Sequence, residues 1–328
     1  MAIVFGRNSY IITGAETTWG TASGAFNTNA SRLISTTLQR TQERDRQSHL
    51  STSDGAMSMG TFDTFELCEG NITVPVYYSG SGMFLQALCG RKVVTSGSGP
   101  YTHYYRSDNT DMCAGANMVA FSAKVQRGSA VNGHERFLGL VVSSGTISVE
   151  AGGEMTMSLE FIGKTADART TSLTSPTFST AKQVYHYEAG TLSFNGVNYS
   201  VRSFEFTVDN KLERRNVLGS KLTESPDVTD FRECSISVEL DVDSTTENNF
   251  YTAALAGTES AVSITFTQSG ASNTINFTLN NSIISDYSDP ISTVGRLTRN
   301  VTFQCLAAPT NFGFKITVVN ADSSGIIG

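Results

Sequence analysis

The sequence predicts a mainly β protein of two tandem β-sandwich domains, each with one short α-helix and one long loop. Three observations support this prediction: the composition, a stretch of strict period-two alternation, and the recurrence of that stretch in the other half of the chain. Hydrophobic residues make up 39% of the 328 residues and charged residues only 16%, and Ser, Thr, Gly and Asn fill the difference. Such a composition is typical of many short strands and turns and lacks the residues that enrich helical proteins.

The clearest local pattern lies at residues 231–257, which predict a strand, a turn and a short helix. Apolar and polar residues alternate in the strand, as in a sheet with one packed and one hydrated face. The apolar set is Ile236, Val238, Leu240 and Val242, and the polar set is Ser237, Glu239, Asp241 and Asp243. Thr245 or Thr246 can cap the helix that follows, and Gly257 can end it.

The same order of elements recurs in the first half of the chain. Residues 65–90 contain an alternating strand, a Gly/Ser turn and the segment FLQALCG, which corresponds to FYTAALAG at residues 250–257. Residues 153–161 and 295–303 also match in spacing. These correspondences indicate that one β-rich domain of about 150 residues has been duplicated.

Each half also contains a long polar loop before its strand-helix unit, at residues 39–60 and 210–228. Loops of about 20 residues are unusual in compact domains and tend to be functional or disordered. A Thr/Ser-rich segment separates the halves. The predicted division is a first domain with an N-terminal arm at residues 1–164, a linker at 165–182, and a second domain with a C-terminal strand at 183–328.

Signatures of catalysis or cofactor binding are missing from the sequence. The four histidines are scattered, and there is no Walker loop, no dinucleotide-binding glycine motif and no nucleophile elbow. The row Glu239, Asp241 and Asp243 projects from a single strand, whereas a hydrolase usually takes its two carboxylates from separate elements. We therefore expect no enzyme activity, no metal and no cofactor.

Charge and cysteine usage limit the partners and the compartment. The net charge of −7 disfavours tight binding to a nucleic-acid backbone, which requires Lys and Arg. Five scattered cysteines without a CxxC pair predict reduced, mostly buried thiols and a cytoplasmic origin. No apolar run approaches the ~18 residues of a membrane helix, so we expect no membrane partner.

Several short motifs together resemble those of the tail tube proteins of long-tailed bacteriophages. They are ETTWGT at 16–21, Thr102-His103, FLGL at 137–140, LEFIGK at 159–164, SFEFTVDN at 203–210 and LGS at 218–220. With the element order, they make the chain similar to the two-domain major tail tube proteins of phages with a non-contractile tail.

The resemblance implies two tandem tail-tube domains and a structural function. In that family, the inner sheets of adjacent domains join edge to edge into a closed cylinder, which removes exposed sheet edges. A duplicated chain would form a homotrimeric ring with pseudo-sixfold symmetry. With four strands per domain, the cylinder would have 24 strands and a backbone circle roughly 48 Å across. Such rings would stack helically into the hollow tube that delivers genomic DNA.

The resemblance also suggests which residues would line that tube. A lumen should not attract phosphate, because a basic lining would hold the genome through counterion release. The candidate lumen-facing residues are Glu239, Asp241 and Asp243 in the second half and Asn71 and Thr73 in the first. The alternative is that this face packs on the outside of the sandwich.

The two long loops would provide the contacts between rings, because the equivalent loop in the family reaches the neighbouring ring. The candidate residues are Arg44, Asp45 and Arg46 in the first loop and Glu213, Arg214 and Arg215 in the second. We expect the arginines to pair with carboxylates across the stack. The alternative is a solvated, mobile loop.

The implied partners are further copies of the chain, a tail terminator and distal tail proteins, with DNA passing through without specific binding. The implied location is the virion tail, assembled in the cytoplasm of the host bacterium. Two alternatives stay open: another tail component on the same fold, such as a distal hub or terminator, and a β-sandwich adhesin or carbohydrate-binding module. A β-sandwich glycosidase is disfavoured by the single-strand placement of its carboxylates.

Overall fold

The structure is a computed structural model with two layers of mainly antiparallel strands and two helices. It describes residues 9–22, 26, 29–46, 60–90, 94–106, 119–128, 133–169, 177–178, 184–186, 190–241, 244–268, 272–288, 297–307 and 312–323.

Each half of the chain contributes its own series of strands and one helix. In the first half they are β1 (Tyr10–Ala15), β2 (Asn29–Arg32), β3 (Ser35–Thr36), β4 (Gln39–Arg46), β5 (Thr61–Pro75), α1 (Gly82–Cys89), β6 (Val94–Ser96), β7 (Tyr101–Arg106), β8 (Phe121–Gln126), β9 (His134–Glu150), β10 (Thr156–Gly163), β11 (Thr165–Ala166) and β12 (Thr177–Phe178). In the second half they are β13 (Gly190–Phe194), β14 (Val197–Tyr199), β15 (Val201–Asp209), β16 (Leu212–Arg215), β17 (Ser225–Val228), β18 (Glu233–Asp241), α2 (Ser244–Ala256), β19 (Ser260–Thr267), β20 (Thr274–Ser288), β21 (Thr298–Cys305) and β22 (Phe314–Asn320).

The predicted mainly β fold is confirmed, and the strands form where apolar and polar residues alternate. In β18, Ile236, Val238 and Leu240 are buried, while Ser237 and Glu239 are partly exposed. This is the pattern expected of a sheet packed on one face only.

One continuous inner sheet runs through both halves of the chain. Its order is β3/β4, β5, β10, the C-terminal part of β9, β15, β18, β21 and the C-terminal part of β20. The halves meet where β9 pairs with β15, in the register Glu150 opposite Ser203 and Ser144 opposite Asp209. Each half therefore supplies four strands, counting β3/β4 as one, to an eight-stranded sheet.

The second layer consists of shorter outer sheets. In the first half its order is β2, β1, β8, the N-terminal part of β9 and β11. In the second half it is β14, β13, β19, the N-terminal part of β20 and β22, continued by β7 and β6. The long strands β9 and β20 belong to both layers, so each one folds its half into a sandwich.

The two long strands carry the same irregularity. A β-bulge lies at Ser143 in β9 and at Ser285 in β20. In each bulge, the serine hydroxyl donates to the opposite backbone carbonyl. The distance is 3.2 Å both from Ser143 to Glu160 and from Ser285 to Thr302. Bulges bend strands at sheet corners, and here the same bend occurs in both halves.

Aromatic rings fill the space between the layers. In the first half, Phe121 of the outer sheet meets Phe161 of the inner sheet, with ring centroids 5.7 Å apart. In the second half, Phe204 on the inner sheet meets Phe277 on the outer sheet at 4.9 Å. Full burial of such a side chain contributes about 1.5–3 kcal/mol, so these rings are a main source of sandwich stability.

Both predicted helices are present, with one boundary that differs. Helix α1 is buried along its whole length and ends at Gly90, which adopts the left-handed conformation. Helix α2 also ends before a left-handed glycine, Gly257, as predicted. However, α2 begins at Ser244, so Thr245 and Thr246 lie in its first turn and not at the position before it.

The structure also corrects several predicted loops. The first polar loop begins as a strand, because residues 39–46 pair with β5 as β4, and the second contains the hairpin β16/β17. The predicted N-terminal arm contains β1, which pairs with β8. The predicted linker contains β11 and β12, which pair with first-half strands.

Candidate functional site

The polar side of the inner sheet is a continuous surface that both halves build together, and we call it the polar face. It is formed by the alternate residues of each inner strand whose neighbours point into the core. Its members include Asn71, Thr73, Ser144, Thr146, Ser148, Glu150, Thr156, Ser158, Glu160, Ser203, Glu205, Thr207, Asp209, Ser235, Ser237, Glu239, Asp241, Thr298, Asn300, Thr302 and Asp286.

Short hydrogen-bonded side chains dominate this face across the first half and the junction. Asn71 donates through Nδ2 to the Ser158 hydroxyl at 2.9 Å, and the Thr146 and Thr207 hydroxyls lie 3.4 Å apart across the junction. Cross-strand pairs of this kind stabilise a sheet by roughly 0.2–1 kcal/mol each. The predicted residues Asn71 and Thr73 therefore lie on the same face as Glu239.

The acidic residues of the second half lie on the polar face as predicted from the alternation. Glu239 is opposite Ser203 on one side and Asn300 on the other. Asp241 is partly exposed, and its Oδ1 lies 3.8 Å from a guanidinium nitrogen of Arg202. Asp243 lies outside the described residues.

Negative charge on the polar face is not confined to the stretch that the sequence singled out. Glu150 and Glu160 are on it in the first half, and Glu205, Asp209 and Asp286 are on it in the second. Two basic residues border this face: Lys211 lies 2.8 Å from Asp209, and Arg202 lies 3.8 Å from Asp241. A surface with this excess of carboxylates repels phosphate and provides few cationic groups to displace the counterions of DNA.

Two charged hairpins project at one end of the sheet, formed by β4 with β5 and by β16 with β17. They contact each other within one chain, because Arg214 donates to Glu69 at 2.7 Å and to the Cys68 carbonyl at 3.1 Å. Lys221 donates to Asp63 at 2.9 Å. The sequence did not reveal this contact, since the partners are some 150 residues apart.

The predicted arginines of these hairpins have different surroundings. Arg44 donates to Asp63 at 3.0 Å, and the hydrogen bonds from Lys221 and Arg44 hold the pKa of the Asp63 carboxyl below its usual value. Arg215 lies 3.9 Å from Glu224 and 3.8 Å from Asp227. Asp45, Arg46 and Glu213 are exposed.

Apolar side chains at this end were missed by sequence reasoning. Leu218, at the turn of the second hairpin, is 104% exposed, and Phe231, after it, is 90% exposed. Val228 is 65% exposed. Exposed apolar side chains of this size are candidates for contact with another molecule. The motif Leu218-Gly219-Ser220 was a signal that could have indicated the first of them.

Three of the short sequence motifs come together in one buried cluster under the outer sheet of the first half. The Glu16 carboxylate accepts hydrogen bonds from the Ser122 hydroxyl and from the Gly139 and Gly20 amides, at 2.7, 2.8 and 2.7 Å. Burial raises the pKa of Glu16 above its ordinary value, against the lowering effect of these donors.

Trp19 completes this cluster. Its indole N–H donates to the Gly139 carbonyl at 3.1 Å, and the Lys164 ammonium lies 4.9 Å from the ring centroid. A cation over an aromatic face is attracted by its quadrupole. The motifs ETTWGT, FLGL and LEFIGK are therefore parts of one packing unit.

The described residues contain no group of three or more His, Cys, Asp or Glu side chains that could hold a metal ion. No helix among the described residues is long and apolar enough to cross a membrane. An open cleft of about 790 Å³ lies between the polar face and the second hairpin, lined by charged residues that include Glu160, Asp209 and Arg214.

The layered β fold, the hydrated acidic sheet face and the exposed hairpins together define a structural building block. The chain belongs to the phage tail tube protein family, whose family model matches residues 6–305. This family is structural and non-enzymatic, which implies a component of the virion tail that assembles into a tube with other tail proteins. A search of curated proteins finds no match to the chain.

Proposed function

We propose that three copies of this chain close into a ring and that the rings stack into the hollow tube through which phage DNA leaves the virion. The single observation that carries this proposal is the eight-stranded inner sheet, to which each half contributes four strands through equivalent pairings. A sheet with two unpaired edges is stable in an assembly when those edges pair with further copies.

In this ring the two halves act as two tail-tube domains, residues 1–164 and 183–328, joined by residues 165–182. The equivalent bulges at Ser143 and Ser285 support the duplication. The halves are not independent, because β7 pairs with β22 and Tyr185 is buried beside Val76. Three chains with eight strands each give 24 strands, a cylinder roughly 48 Å across at the backbone.

The polar face is the side that we assign to the lumen. The opposite side of the inner sheet is covered by the outer sheets and helices, so it cannot meet DNA. Glu239 and Asp241 on the polar face, with Glu205 and Glu150, would present carboxylates to the passing duplex. Asn71 and Thr73 would present neutral groups, so that the charge varies around the ring.

The two hairpins are the surfaces that we assign to ring stacking. Arg44 and Arg214 would act mainly within the chain, where they hold the hairpins in place. Asp45, Arg46, Glu213 and Arg215 would then be available to the neighbouring ring, together with the exposed Leu218. This modifies the prediction that all four arginines reach carboxylates across the stack.

Assembly would take place in the cytoplasm of the host bacterium, with a terminator and distal tail proteins at the two ends. DNA would pass without sequence-specific or tight binding, because the acidic lumen offers little gain from counterion release.

Electron microscopy of the purified protein in negative stain tests the proposal directly. We expect hollow tubes or stacked rings, with threefold symmetry in end views because each chain supplies a third of the ring. Native mass spectrometry of short assemblies should give multiples of three chains. Monodisperse monomers at every concentration and salt condition would refute the proposal. Sixfold end views, or assemblies whose chain number is not a multiple of three, would refute the trimeric ring.

A further inference from the structure

We infer the register in which neighbouring chains pair: the β4 edge of one chain lies antiparallel to the β20 edge of the next, with Thr41 opposite Asp286. This inference rests on the proposed ring. It adds which backbone positions meet, and so which residues form the contact between two copies of the chain.

The basis is that the chain already contains one junction between the inner sheets of its two halves. There, β9 and β15 pair antiparallel, with Thr146 opposite Thr207 and Ser144 opposite Asp209. The Asn210 amide donates to the Ser143 carbonyl at 2.8 Å. If the halves are equivalent, the junction between chains should have the same geometry.

The equivalence of β9 and β20 can be assigned residue by residue. Glu160 of β10 is opposite Ser144, and the corresponding Thr302 of β21 is opposite Asp286. The bulge serines directly precede these two residues in the chain, and each donates to the backbone carbonyl on the neighbouring strand. Asp286 therefore occupies the place of Ser144.

The other edge is assigned through β5 and β18. Asn71 is opposite Glu160, and Ser237 is opposite Thr302, so these two residues correspond. Glu205 is opposite Ser237, and the Thr37 amide donates to the Asn71 carbonyl at 2.9 Å, so Thr37 takes the place of Glu205. Four residues further along each strand, Thr41 takes the place of Asp209.

Together, the two assignments predict which residues are opposite each other where two chains meet. Ser144 opposite Asp209 becomes Asp286 opposite Thr41 of the next chain. Both residues are exposed, and among the described strands only β21 pairs with β20 beyond Ser282 and only β5 pairs with β4. Leu38 has its amide bound to the Thr36 hydroxyl and its carbonyl bound to Arg127, so the shared ladder should begin at Gln39.

The hydrogen-bond pattern of the internal junction indicates that Thr41 and Asp286 are close enough to cross-link. In the internal junction, the hydrogen bond at Asn210 and Ser143 makes the adjacent pair a non-hydrogen-bonded one. Residues in such pairs have Cα atoms about 4.5 Å apart, within the range of a disulfide. Residues two positions out of register are about 7–8 Å apart, which a disulfide does not span without backbone movement.

Cysteine cross-linking of the assembled full-length protein tests the register. The variant Thr41→Cys with Asp286→Cys, oxidised with copper phenanthroline, should give covalent dimers and trimers on a non-reducing gel. The matched control, Gln39→Cys with Asp286→Cys, places both thiols on the same face but two residues out of register. We expect its yield of cross-linked chains to be at least about tenfold lower, and each single variant to give none of these products.

The outcomes separate the register from the proposed ring. Tubes in which the control pair cross-links better than the Thr41 and Asp286 pair would overturn the register while leaving the ring intact. Tubes in which neither pair cross-links would also overturn it. A wild-type protein that forms no rings in the electron microscope would refute the proposed function itself. If only the double cysteine variant fails to assemble, the conservative double variant Thr41→Ser with Asp286→Asn tests whether the edge tolerates substitution. Loss of rings in this conservative variant supports a contact at the two positions.

Discussion

At the scale of single residues, close packing around Gly139 links three separate parts of the first half. Gly139 has φ +68°, and a Cβ atom there would lie 2.9 Å from both Lys164 Cβ and Trp19 Nε1. Its amide and carbonyl are both used, by Glu16 and Trp19 respectively. The position therefore requires a residue without a side chain for steric as well as conformational reasons.

A pair of matched substitutions separates these two reasons. Gly139→Ala should lower the free energy of unfolding by about 2–4 kcal/mol, because it adds a clash to the strain of a left-handed alanine. Gly196→Ala is the control, since Gly196 has φ +76° and nothing within 4 Å of the added carbon. It should cost only about 1–2 kcal/mol. Urea unfolding of the unassembled proteins measures both, and equal losses would contradict the packing role of Gly139.

At the scale of elements, each half combines a rigid sandwich with an exposed hairpin. The hairpins are held to one another by exposed contacts such as Lys221 with Asp63, so they form one composite projection. Exposed ion pairs contribute little to stability, with a median of about 0–1 kcal/mol. Their role is therefore better sought in positioning the exposed tip than in stabilising the fold.

Placing a charge on that tip tests its role in stacking. Leu218→Asp should leave the melting temperature of the unassembled protein nearly unchanged, because Leu218 makes no buried contact. It should shorten tubes or leave single rings, because a carboxylate would replace an apolar contact. Asn216→Asp is the control, since it adds the same charge at an exposed neighbour. Tubes of normal length from the Leu218 variant would rule out a contact at this residue.

At the scale of the whole molecule, the two sides of the inner sheet have different functions. Its apolar side holds the sandwiches together, and its polar side carries carboxylates from both halves. Three chains around one axis would bring these groups together in a narrow channel. Fields of the same sign add in such a channel, so the charge of the face matters more in the tube than in a single chain.

Reversing charge on the polar face tests whether it lines the lumen. Phage carrying Glu239→Lys should assemble tails but eject DNA more slowly, most clearly at low salt, because the new lysines attract phosphate. Glu259→Lys is the matched control, since it makes the same charge change at an exposed carboxylate beside the outer strand β19, off the polar face. Time-resolved DNA release from purified virions measures the difference. Equal ejection rates for the two variants would count against the lumen assignment.

Much of the fold could be predicted because alternation is a local property. The strand with Ile236, Val238 and Leu240 and the glycine that ends α2 were recognisable from short stretches. The strand β4 was missed because QRTQERDR is polar on both sides. Such a strand has no buried face, so its sequence carries no alternation to detect.

The candidate site was predictable only in part. Alternation placed Glu239 and Asp241 on a hydrated face, but Glu150, Glu160 and Glu205 became part of the same surface only through strand pairing. Arg44 and Arg214 were expected to reach another ring, and in the chain they contact Asp63 and Glu69. Contacts between residues so far apart in the chain depend on the tertiary arrangement.

The sequence by itself determined the class of fold, the repeated strand-helix unit and the polarity of each strand, because all three follow from composition and periodicity within short windows. The tertiary structure alone decided that the halves share one inner sheet, that β7 crosses to pair with β22, and that the two hairpins meet. The physical reason is that an unpaired strand edge presents the same backbone donors and acceptors to every candidate partner. Which partner it takes depends on the packing of the whole chain.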